Sequence, residues 1–254
     1  MRLALAHARA GTLELARQPQ FWVPSLAFPA LFFVLFGVSA ADRVVEFLPE
    51  NLGSEVILAQ FLCFGVLSIM FFQFGVGIAE ERRLPWEVTL RVLPVGGSMR
   101  FLGRVLVALA FSLAAVAPVV LIAALTTELR LGLAGWVVYL GAVLLGAVPF
   151  GLMGITLGYA AAPKAALPIA NIGFLLLSFL GGLFVPLDVL PGFVAKVAPY
   201  LPSRHYLDFV QGVIGGREDG GGWQQPALYL AGWGALFLAT AVLVYRRDQG
   251  IRFR

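Results

Sequence analysis

Apolar and polar residues along this chain separate into blocks instead of alternating. Apolar runs occupy about 21 to 40, 56 to 79, 103 to 126, 135 to 158, 165 to 185 and 226 to 245, with polar connections between them. An apolar helix of roughly 20 residues crosses a bilayer core about 30 Å thick. The pattern therefore predicts an all-α integral membrane protein with six transmembrane helices in a single domain, residues 1–254. Ahead of the first run, RLALAHARAGTLELARQ favours helix and ends at Pro19, with Arg2, Arg9 and Arg17 on one face. Residues 1–20 read as an interfacial helix on the cytoplasmic lipid surface, or else as a frayed basic tail.

The segment 186–225 breaks the pattern. Prolines stand at 186, 191, 199 and 202, and the apolar stretch from Phe193 to Ala198 is too short to span. This predicts an external re-entrant or interfacial hairpin between spans five and six. Ser203 is placed to cap a second short helix through Arg204, Tyr206, Phe209 and Val213, stopping at Gly215 and Gly216.

Charge sets the orientation. If residues 1–20, 80–104, 159–164 and 246–254 share one side, that side holds Arg2, Arg9, Arg17, Arg82, Arg83, Arg91, Arg100, Arg104, Lys164, Arg246, Arg247, Arg252 and Arg254. Arg43, Arg130, Lys196, Arg204 and Arg217 remain for the other. The positive-inside rule then puts both termini in the cytoplasm of a multi-pass protein. The net charge of +4 thus reflects topology and gives no reason to expect nucleic acid. Asp42, Glu46, Glu50 and Glu55 gather in the first external loop. Val38-Ser39-Ala40 before Ala41 resembles a signal-peptidase site, but Glu14 in a long leading segment and Pro24 and Pro29 in the apolar run argue for an uncleaved first span.

Within the spans, Pro118, Pro149 and Pro168 predict kinks or interruptions. Gly154 with Gly158, Ala147 with Gly151, and Ala231 with Ala235 and Ala239 form small-residue stripes that let helices approach closely, either in the bundle or at a dimer seam.

Candidate chemistry is sparse. The only lysines are Lys164 in AAPKAAL and Lys196 in FVAKVAP, so the chain has no GxxxxGK[ST] phosphate loop and holds no ATP site of its own. His7, His205 and the single Cys63 lack metal-ligand spacing, and Cys63 reads as a packing residue. No span carries a carboxylate at mid-depth, which a membrane-embedded enzyme or an ion-coupled carrier would need. The embedded polar residues Gln60, Ser68, Gln73, Ser112, Thr156, Asn171 and Ser178 are neutral.

The most charged window is EERRLPWEVTLRVLPV, residues 80 to 95. Pro85 suits the first turn of a helix and Pro94 ends it after about two turns. Trp86, Leu90 and Leu93 share one face, and Glu87 with Arg91 forms an i, i+4 pair beside it. An amphipathic helix on the membrane surface results, offering an apolar face to lipid or to a protein.

The whole constellation resembles the membrane subunit of ABC transporters of the ABC-2 type. ARQPQFWVPSLAFPALFFVLFG enters the first span, EERR and LRVLPV follow the second, and GAVPFGLMGITLGY lies in the fourth. SFLGGLFVPLDVLPGFVAKVAPYLPSRHYLD, leading from the fifth span into the hairpin, carries the most specific match. Leu84-Pro85 stands where that family often has Gly-Thr.

The resemblance implies a permease subunit of an exporter in the bacterial plasma membrane, driven by a separate ATPase that binds ATP and magnesium. It also implies a second permease copy, as homodimer or related heterodimer. The connection 80–102 would be the coupling helix loop, with Trp86, Leu90 and Leu93 as apolar anchor and Glu80, Glu81, Arg82, Arg83, Glu87 and Arg91 as polar contacts. Cargo would pass between the first, second and fifth spans, where Gln60, Phe61, Phe64, Gln73, Asn171, Phe174, Ser178 and Phe179 are candidate wall residues. So apolar a lining points to a lipid-like or drug-like amphipathic substrate. The rival readings are a membrane-embedded enzyme or carrier without an ATPase, and an assembly subunit of a larger complex.

Overall fold

The structure, a computed structural model, describes residues 19–40, 54–82, 97–183, 191–215 and 221–252. Every element among them is helical. Helices satisfy all their backbone groups within one segment, which lipid demands. Helix α1 covers residues 19–40 and contains a π-helical turn over Phe33–Gly37. α2 runs Glu55–Glu81 with a longer π segment, Met70–Val76. α3 is Gly97–Thr126, and α4 (Leu133–Gly146) and α5 (Val148–Ala160) form one span jogged at Ala147. α6 (Pro163–Leu180), the short α7 (Gly192–Val197), α8 (Pro202–Ile214) and α9 (Gln224–Arg252) complete the order.

Five helices are long and apolar enough to cross a membrane, and the shorter apolar Leu26–Ala40 is consistent with a sixth. They share the burial unequally. In α2 94% of the spanning window is inside the bundle, against 11% in α9, so α2 is the axis around which the others pack. α1, α3, α5, α6 and α8 all touch it, and α9 lies against α5 and α8.

The small-residue stripe of the fourth span faces inward. A β-carbon on Gly154 would lie 2.6 Å from the Met70 carbonyl oxygen, and one on Gly158 would lie 2.7 Å from that of Phe74. The π segment of α2 therefore rests with bare backbone on bare backbone of α5. Gly154, Gly158 and the pair Ala147 and Gly151 are buried, which assigns these stripes to packing within the chain. Ala231, Ala235 and Ala239 stay exposed.

Several expectations need correction. Of the kinks or interruptions expected at Pro118 and Pro168, the interruptions do not occur, because both helices continue through these residues. Each proline removes one helical hydrogen bond, and a full break in lipid would strand several more groups. Pro149 does coincide with an interruption, which falls at Ala147, two residues ahead. The fifth span ends at Leu180, before Gly181 and the left-handed Gly182, instead of near 185. Ser203 is not the cap of α8. Leu201 is the extended N-cap and Pro202 takes the first helical position, which its fixed φ suits, so Ser203 lies at the second and is buried against Gly181. At the other end the helix stops at left-handed Gly215, as the sequence predicts.

α8 itself is enclosed by the bundle. From Pro202 to Gly212 only Arg204 is not buried. Two of its polar side chains reach backbone carbonyls: the Tyr206 hydroxyl donates to that of Val143 at 2.6 Å, and the Gln211 amide donates to that of Val56 at 3.1 Å. Arg204 pairs with Asp208 at 3.0 Å, and His205 stacks on Tyr229 with ring centroids 4.3 Å apart. Cys63 is buried beside Tyr206, a packing position.

Close by, Glu55 opens α2 completely buried. Its carboxylate accepts from the backbone N–H groups of Arg130 and, at 2.7 Å, of Leu131, while its own carbonyl accepts from the Tyr139 hydroxyl at 2.6 Å. The acid thus staples α2 to the turn between α3 and α4. Glu55→Gln keeps an acceptor but loses the charge assistance. A stability loss of about 1 kcal/mol is expected, read as a fall of about 3 °C in the thermal midpoint of the detergent-solubilised chain.

The interfacial segment 1–18, the connection 83–96, residues 184–190 and the tip at 216–220 lie outside the described residues.

Candidate functional site: the Glu81 end and an apolar groove

Two regions gather the candidate residues. The first is the end of the bundle where α2 leaves it. Glu80 is exposed there and Glu81 half-buried. Arg82 turns back into the bundle. One of its guanidinium nitrogens donates to the carbonyls of Gly158 at 2.8 Å and Tyr159 at 2.9 Å, at the C-terminus of α5. The other pairs with the Asp248 carboxylate of α9, and the cation lies 5.5 Å from the centroid of the Tyr159 ring. Tyr159 in turn meets Tyr245 edge to face at 5.1 Å. Helix C-termini present unsatisfied carbonyls and partial negative charge, so a cation there caps α5 while its partner acid neutralises it. Arg83, Trp86, Glu87, Leu90, Arg91 and Leu93 lie outside the described residues.

The second region is a groove of about 310 Å³ between α1, α2 and α6, lined by Phe32, Phe64, Leu175, Leu176, Ser178 and Phe179. Among the eight wall candidates it brings together Phe64, Ser178 and Phe179. Phe174 backs the wall, its ring 4.9 Å from that of Phe64 and 5.9 Å from that of Phe72. Phe61 packs edge to face on Phe33 at 5.3 Å and, with Gln60 and Gln73, belongs to the buried core. Asn171 is exposed on α6, away from this lining. The Ser178 hydroxyl is buried behind this lining and has no hydrogen-bond partner among the described residues.

Sequence reasoning missed Asp248. Its signal was present: it is the only acid after Asp219, set among Arg246, Arg247, Arg252 and Arg254. A lone acid in a basic terminus has a strong electrostatic reason to be paired. Among the described residues no group of acids, histidines or cysteines is placed to hold a metal ion.

Comparison with known proteins agrees with this architecture. Residues 4–214 match the family described as ABC-2 type transporter. The chain is also similar to the Bacillus subtilis (strain 168) protein named "Putative transport permease YvfS", with 22% identity over 236 residues, covering 92% of this chain and 94% of that one.

Proposed function

The chain belongs to the ABC-2 type transporter family, and from that membership we propose that it is the permease half of an exporter for lipid-like or amphipathic cargo, powered by a separate ATPase subunit. That subunit binds the ATP and magnesium. The Glu81 end faces the cytoplasm of a bacterial cell, in keeping with the basic residues gathered on that side, and the connection 83–96 is the handle the ATPase grips. Handle motion favours one of two bundle arrangements and so opens or closes the path. α8 with α7 forms the re-entrant cap on the outer side. A second permease copy completes the path across the exposed faces of α1 and α6.

One observation carries the choice of cargo. The groove between α1, α2 and α6 is lined by five apolar side chains and a single hydroxyl. A charged or strongly hydrated solute would lose its water there without replacement. An amphiphile would lose only the hydration of its chain, which is favourable.

The test is ATP hydrolysis by the co-purified permease and ATPase in liposomes, challenged with a phospholipid, a cationic amphiphile, a neutral sugar and a potassium salt. The amphiphiles are expected to stimulate hydrolysis about fivefold, and the sugar and salt to leave it at the basal rate. Stimulation by sugar or salt alone would refute the assignment of cargo.

A further inference from the structure

The Arg82 contacts do more than fasten a loop. Arg82 caps the C-terminus of α2 and is the last described residue before the connection 83–96 begins. Its side chain and that of Asp248 are largely buried, at 16% and 7% exposed. Through them α2 is tied at once to the terminal carbonyls of α5 and to α9. α5 and α9 are themselves joined along their seam. The Thr156 and Thr240 hydroxyls meet at 3.2 Å, and Tyr159 packs on Tyr245 at 5.1 Å.

Elsewhere the α2 to α5 contact is apolar and close. Gly75 of α2 faces Gly154 and Leu157, and Met70, Phe74 and Ile78 of α2 lie against Gly151, Gly154 and Gly158 of α5. The cation at Arg82 adds a directional link between α2 and the α5–α9 pair.

Resting on the reading of 83–96 as the ATPase handle, we infer that Arg82 and Asp248 are positioning residues that yoke α9 to the root of that handle, so that the last helix moves with α2 during the nucleotide cycle. The handle then drives three helices. A pull on it reaches the α5 terminus through two hydrogen bonds and α9 through the ion pair. Without the acid, α2 still moves and α9 follows only through its seam with α5.

The experiment uses the full chain assembled with its ATPase in nanodiscs, with Cys63 left in place because it is buried. A bimane reporter is attached at Ser98→Cys, at the start of α3 beyond the handle, or at Arg246→Cys, exposed on α9. Fluorescence is compared before and after trapping with magnesium, ATP and vanadate. Both reporters are expected to shift in the otherwise wild-type chain. Asp248→Asn is expected to cut the shift at Arg246→Cys about fivefold and to leave that at Ser98→Cys unchanged. Asp248→Glu should restore it, and Arg82→Lys, which keeps the charge but not the two-pronged geometry, should fall between.

A silent Arg246→Cys reporter beside a responsive Ser98→Cys would overturn the yoke while leaving the handle reading intact, and that outcome needs no variant of the ion pair. An undiminished Arg246→Cys response in Asp248→Asn would overturn it too. Silence of both reporters while the ATPase turns over would remove the handle reading and the yoke with it.

Discussion

Gly158→Ala is expected to lower the thermal midpoint of the solubilised chain by about 5 °C, and Gly158→Leu by about 10 °C. For an exposed helical glycine the first change would stabilise, because alanine favours helix over glycine by about 1 kcal/mol. Gly158 has no room for the gain. Its added β-carbon would sit 2.7 Å from the Ile78 β-carbon, 2.7 Å from the Phe74 oxygen and 2.9 Å from the Gly75 oxygen. Two of those neighbours are backbone atoms of a helix buried on every side, so relief requires moving α2 itself. Overpacking of this kind costs about 1 to 3 kcal/mol, more than the propensity returns. Gly141→Ala supplies the control, since nothing lies within 4 Å of a β-carbon there and the site is exposed. It should be neutral or slightly stabilising. If the two alanine variants shifted alike, the seating of α5 on the π segment would be wrong.

That seating shows where sequence stops informing. Gly154 and Gly158 announce a close helix contact, yet nothing in MFFQFGV says that its backbone widens to a π-helix. A turn reveals itself through the period of its apolar face. α2 is apolar all round because it is buried all round, and a helix without a polar face has no readable phase. The five long apolar helices and the shorter first one were legible for the complementary reason: the length of an apolar run needs no phase.

α8 hides its environment for a different reason. Arg204, His205, Asp208 and Gln211, on a short helix that starts at Pro202 and stops at Gly215, look unpartnered in sequence. Each instead meets a partner: Arg204 and Asp208 one another, His205 the Tyr229 ring, and Gln211 the Val56 carbonyl. Matched polar groups tolerate burial, and the matching depends on residues up to 155 positions away. Arg82 and Arg83 pose the same problem in miniature. Two adjacent arginines look equivalent in sequence, and only the carbonyls of Gly158 and Tyr159 show that Arg82 points inward.

On the proposed reading, Trp86→Asp combined with Leu90→Asp should cut the ATPase retained on the purified chain about a hundredfold at unchanged expression. The two positions stand four residues apart, on one face of the helix that the sequence predicts between Pro85 and Pro94. Removing both from an apolar groove forfeits about 1.5 to 3 kcal/mol each, and every 1.4 kcal/mol is a factor of ten in affinity. Placing carboxylates in that groove adds their desolvation. Changing the neighbouring charges, as in Glu87→Gln, should act more weakly, slowing association and altering its salt dependence. The thermal midpoint of the permease should not move with the double change, because the Arg82 ion pair and the α5 carbonyls close the bundle before the handle begins. Lys164→Ala, an exposed change at the start of α6, should leave capture intact. Retention of the ATPase at wild-type level by the doubly substituted chain, with the bundle still folded, would mean that the energy-supplying partner grips some other surface.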